Sequence, residues 1–78
     1  MAGRPPKKYS QGTRLVSMLR LLAHRWLGAS IQEMSENLGV STRTIDRDLR
    51  ALAEVVPLRR CAVKGQRGVR LQDREKIW

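Results

Sequence analysis

The run Gly39-Val40-Ser41-Thr42-Arg43-Thr44-Ile45-Asp46-Arg47-Asp48-Leu49-Arg50 constrains this chain more than any other segment. A glycine at position 39 supplies the positive φ of a helix end and tight turn. Ser41 is then a helix N-cap, its hydroxyl accepting from an orphan amide of the first turn. The helix that follows, from about Thr42 to Ala53, puts Ile45, Leu49 and Leu52 on one side and Arg43, Arg47 and Arg50 on the other. One side of such a helix must be buried, and the other presents three guanidinium groups.

The preceding segments read as supports for that helix. Residues 13–27 predict a first helix, with Leu15, Met18, Leu19, Leu22 and Trp26 inward and Val16, Ala23 and Leu27 widening the stripe. Ser17, Arg20 and His24 fall opposite, and Leu21 lies near that polar side without a core role. Gly28 ends the helix. Ser30-Ile31-Gln32-Glu33 has the form of a capping box. A second helix then runs to Leu38, with Ile31, Met34 and Leu38 inward. Two carboxylates in the third helix need partners. Asp48, off the arginine face, is within reach of Arg14 or Arg25, and Asp46 is placed to pair with Arg50 four residues on.

Beyond Pro57 the pattern becomes strand-like over 58–63 and 69–72, with a glycine-containing loop at 64–68. Val69 and Leu71 alternate with Arg70 and Gln72, so one face can cover the helices; the register of the first strand stays open. Lys64 and Arg67 are expected at the hairpin tip, with Arg59, Arg60 and Arg70 on its strands. Helix, helix, tight turn, helix, hairpin is the order of a winged helix-turn-helix. The expected fold is therefore mainly α with a small β-hairpin: three helices plus a two-stranded wing over residues 13–72.

Sixteen basic against 7 acidic residues give a net charge of +9, which calls for a polyanionic partner. A membrane is not expected, because Arg20, His24 and Arg25 interrupt the apolar stretches. One cysteine, Cys61, and one histidine, His24, allow neither an internal disulfide nor a metal site. Cys61 fits a small packed or half-exposed strand residue. With no nucleophile–base pair and no phosphate loop, the chain is not read as an enzyme. Neither a cofactor nor a small-molecule pocket is expected. The N-terminus lacks the apolar core of a signal peptide, so a cytoplasmic or nucleoid location follows.

The ends carry their own readings. Residues 1–12 are basic, rich in Pro and Gly and without apolar periodicity, as in a flexible arm. There Gly3-Arg4-Pro5-Pro6-Lys7-Lys8 resembles the core of an AT-hook, whose arginine enters the minor groove of A·T tracts. The other reading is a solvated cationic tail; in both, Arg4, Lys7 and Lys8 face nucleic acid. Residues 73–78 end in Ile77-Trp78 and read as a tail or the start of a linker to a missing effector domain.

Double-stranded DNA is the expected partner. The third helix fits the major groove. Ser41 and Thr42 sit at its positive end and can meet a phosphate. Arg43, Thr44 and Arg47 are candidates for base edges, Arg50 for a phosphate, and Lys64 and Arg67 for the wing's contacts. Two alternatives remain open. An RNA or single-strand binder would need stacking platforms, yet aromatic content is 4% and Trp26 is assigned to the core, leaving Tyr9 and Trp78. A protein-interaction winged helix would carry its charge for solubility.

The residues Leu38-Gly39-Val40-Ser41, Arg43-Thr44-Ile45 and Arg47-Asp48-Leu49, with Leu52 after them, resemble the helix-turn-helix of the DeoR-type group. More closely they resemble the N-terminal DNA-binding domain of WYL-domain transcriptional regulators, over roughly residues 13–72. That resemblance implies a bacterial dimeric regulator whose C-terminal part senses an effector. It also assigns groove and phosphate contacts to Ser41, Arg43, Thr44 and Arg47. This chain differs in lacking the WYL module and in its long basic arm. A homodimer, where it forms, is expected through the missing C-terminal part.

Overall fold

A computed structural model describes residues 10–72; Arg4, Lys7, Lys8, the rest of the expected arm up to Tyr9, and residues 73–78 lie outside the described residues. The elements are α1 (Gln11–Ala23), β1 (Ala29–Ser30), α2 (Ile31–Leu38), α3 (Thr42–Leu52), β2 (Leu58–Val63) and β3 (Gln66–Leu71). The fold is a winged helix-turn-helix. Its sheet has three antiparallel strands in the order β1-β3-β2, rather than the two expected. The added strand β1 is two residues long, too short for any periodic signal, and pairs Ala29 with Val69 and Ser30 with Gly68. Among the described residues no helix is long and apolar enough to cross a membrane.

Each helix starts on a serine. Ser10, Ser30 and Ser41 accept from the amides of Thr13, Glu33 and Thr44, which satisfies one orphan donor at each N-terminus. Helix α1 therefore starts two residues before the expected boundary, and Ser10 to Gly12 belong to it rather than to the arm. The capping box of α2 forms by half: Ser30 caps, while the Glu33 carboxylate meets the Arg25 guanidinium. Gly39 closes α2 in the left-handed region at φ 69°. The Ser35 hydroxyl donates to the Val40 carbonyl and braces the three-residue turn into α3.

The core is one cluster in which Met18 and Leu22 of α1 pack on Ile31, Met34 and Leu38 of α2, on Ile45, Leu49 and Leu52 of α3, and on Val69 and Leu71 of β3. The buried stripes of α2 and α3 are those the 3.6-residue period predicts. That of α1 is rotated. Arg14 turns inward to reach Asp48, and Met18 and Leu22 lie on the same line at four-residue steps, so Leu21 packs against the core and Val16 is exposed.

Helix α1 also ends at Ala23, four residues short of the expected end. The amides of His24 and Arg25 turn to the carbonyls of Leu21 and Leu22, and the chain then leaves the helix to reach the sheet. Gly28, at φ 97°, delivers Ala29 into pairing with Val69. Trp26 and Leu27, assigned to the core by their spacing, consequently sit on a loop, 71% and 84% exposed. Their helical period is real, but the long-range pairing of β1 with β3 takes the backbone away before they can use it.

Strand β3 starts at Gln66 rather than Val69, and the expected five-residue loop is a two-residue turn, Lys64-Gly65. Both turn residues have positive φ, 53° and 79°. That is the backbone of the tight hairpin turns whose twist matches the flanking strands. Arg67 accordingly sits in β3, opposite Ala62, and not at the tip.

Candidate nucleic-acid interface

The outward face of α3 is built by what its inward face buries. Ile45, Leu49 and Leu52 are almost wholly enclosed, so Arg43, Arg47 and Arg50 are turned to solvent. A buried ion pair fixes the rotation of the helix. The Asp48 carboxylate is fully enclosed and accepts from Arg14 Nε, from Arg14 Nη2 at 3.2 Å and from Gln11 Nε2 at 3.1 Å. Of the two expected partners for Asp48, Arg14 is the one found, and Arg25 goes to Glu33. The hydrogen bond that Arg14 donates to Asp48, opposed by desolvation and helped by the carboxylate's negative charge, raises the Arg14 pKa, so this guanidinium stays protonated.

At the start of α3, Ser41 and Thr42 are exposed and Thr44 is half-buried. The Ser41 hydroxyl is committed locally, accepting from the Thr44 amide and donating to the Thr44 hydroxyl, both at 3.2 Å. The amides of Thr42 and Arg43, in the first turn, have no carbonyl partner within the helix and point along its positive end. This end of α3 is thus an anion-accepting surface with a polar side chain on each side.

The wing folds against the same helix. Asp46 pairs with Arg67, not with Arg50: both terminal nitrogens of Arg67 meet the two carboxylate oxygens at 3.4 Å. The cause is tertiary, because β3 passes the first turns of α3 and brings a cation from the sheet. Arg60 was not singled out in the sequence. It lies on the helix side of the wing, in a depression lined also by Leu49, Arg50, Ala53, Leu58 and Val69. No local signal distinguishes Arg60 from Arg59; only the register Arg60↔Val69 reveals its face. Lys64 is exposed at the hairpin tip as expected.

The structure therefore gathers Ser41, Thr42, Arg43, Thr44, Arg47 and Arg50 on one helix, with Arg60 and Arg67 beside it and Lys64 beyond. It leaves Cys61 half-buried on the opposite face of the sheet. No small-molecule pocket was expected, yet an open groove of about 760 Å³ lies on that opposite face.

Comparison with known proteins agrees with this geometry. No curated protein and no solved structure shows significant similarity to the chain. A family model described as an HTH domain matches residues 14–69, from the first turns of α1 into β3. The match covers the two supporting helices, the tight turn, the arginine-bearing helix and most of the wing, and so the chain belongs to the HTH domain family, a family of DNA-binding helix-turn-helix domains.

Proposed function

We propose that this protein is a sequence-specific binder of double-stranded DNA that acts in transcription. The observation that carries the reading is the exposed row Arg43, Arg47 and Arg50, set opposite a fully buried aliphatic stripe and flanked by a basic wing. In this reading α3 lies in the major groove. Arg43, Thr44 and Arg47 face base edges, since arginine makes paired bonds to guanine. Thr42 and the free amides of the first turn, which the Ser41 cap sets in place, hold a phosphate, as does Arg50. Arg60 and Lys64 meet the backbone beside the helix, and Arg67 bridges wing and helix through Asp46. Arg4, Lys7 and Lys8 add contacts to phosphates or the minor groove. Residues 10–72 are the binding domain, residues 1–9 its basic arm and residues 73–78 a tail or linker.

The likeness of the Leu38–Leu52 segment to DeoR-type and WYL-domain regulators supports a regulatory role at a bacterial nucleoid. It also supports dimeric action on paired half-sites. Selection of bound duplexes from a random pool by the full chain should yield a defined consensus, and recovery of unrelated sequences would argue against specific readout. With a consensus duplex, Arg47→Ala is expected to cost about 1–3 kcal/mol and to relax preference at one position. Equal affinity of Arg47→Ala and wild type for that duplex would move the base-reading surface elsewhere.

Electrostatics give a second expected result. The logarithm of the association constant should fall linearly with the logarithm of salt concentration, by about 0.9 per neutralised phosphate. Lys8→Ala should weaken consensus and scrambled duplexes alike and reduce that slope by about 1. A loss confined to the consensus would show Lys8 reading sequence.

A further inference from the structure

The sheet has a second face that the DNA-binding reading does not use. Val69 and Leu71 point into the core, so Arg70 on β3, with Arg59, Cys61 and Val63 paired beside it on β2, points the other way. Here the groove opens, with Trp26 and Leu27 forming one wall and Ala62, Val63 and Lys64 the other. Cys61 and Val63 lie close over the glycines of this face: a Cβ on Gly28 would lie 3.1 Å from Cys61 Sγ, and one on Gly68 would lie 2.8 Å from Val63 Cγ2. Large apolar side chains more than two-thirds exposed along an open groove form a surface suited to an apolar anchor.

The charge around the groove selects its occupant. His24, Arg25, Lys64 and Arg70 line it, and among the described residues no carboxylate does. Arg25 is paired with Glu33; among the described residues Lys64 and Arg70 take part in no ion pair. A second copy docking by the same face would set these cations against themselves across a two-fold axis. Leu27 and Val63 give the groove an aliphatic lining that accepts a side chain such as leucine. We infer that this face docks an acidic partner segment, a short peptide stretch with large aliphatic anchors flanked by carboxylates, on the side of the sheet away from α3. The partner would be held while DNA occupies the other face, so the inference extends the DNA-binding reading without depending on it.

The test uses the full chain and a fluorescein-labelled twelve-residue peptide of alternating leucine and glutamate. Controls are the glutamine-for-glutamate peptide and a twelve-nucleotide oligo-dT. Saturable binding of the acidic peptide is expected, with about a tenfold loss on Leu27→Ser and a similar loss on Arg70→Glu. Both positions are away from the core cluster, and thermal melting checks that each variant folds. Leu27→Ser changes no charge and should leave duplex affinity as it was. Three results would overturn the inference: no saturable peptide binding, equal binding of the glutamine peptide, or tighter binding of oligo-dT at this face. A loss of duplex binding by Arg47→Ala with peptide binding intact would separate the two faces. Peptide binding without any duplex binding would sink the DNA reading alone.

Discussion

Asp48→Ala should lower the unfolding free energy by about 3–5 kcal/mol, because it leaves the Arg14 guanidinium without its buried counter-charge. Asp48 is fully enclosed, and it ties α1 to α3 through Arg14 and Gln11. A domain of this size has a total stability of roughly 3–9 kcal/mol, so the loss removes a large share of it and the variant should melt far below the wild type. Thermal melting followed by circular dichroism reads the effect directly. Asp48→Asn keeps the shape and an accepting oxygen, and it should recover part of the loss. The rotation of α3 depends on this pair, so a folded remnant of Asp48→Ala should also bind DNA poorly. A melting temperature within a few degrees of wild type would show that the pair does not hold the two helices together.

Gly28→Ala should rank next, at about 2–4 kcal/mol. Two costs coincide at this position. Its φ of 97° lies where residues with a Cβ are strained. Its Cβ would also stand 2.5 Å from the Val69 carbonyl oxygen, which is backbone and cannot rotate away. Relief requires β1 to part from β3, and with it the loop that carries Trp26 and Leu27. Gly65→Ala is the control: φ is 79°, but nothing lies within 4 Å of the added carbon, so strain alone remains. Urea denaturation of the two variants should give a clearly larger loss for Gly28→Ala, and equal losses would mean that the close approach relaxes freely.

The parts legible in the sequence were those specified by neighbouring residues. Ser30, Gly39 and Ser41 marked the ends of α2 and α3, because a cap or a left-handed glycine acts within one turn. Asp48 was readable as needing a cation, because a carboxylate on the buried side of a helix cannot stay unpaired. The missed features were long-range. Trp26 and Leu27 continue the α1 period into a loop whose path is set by a strand some forty residues away. Asp46 had a cation four residues on and took one from the sheet instead. Arg60 and Arg67 gained their places from strand register, and the Lys64-Gly65 turn lacks the Asn or Asp that usually announces such a hairpin. The identity of the outward arginines was written locally, and their company was not.

Ser30 closes the strand β1 and caps the helix α2 in the same residue. No spacer is left between sheet and helical pair, so neither can pivot without giving up a ladder position or a helix terminus. The wing and the helix-turn-helix consequently travel as one body. A duplex would meet a surface whose spacing is already set, and little ordering entropy would be spent within residues 10–72 on docking.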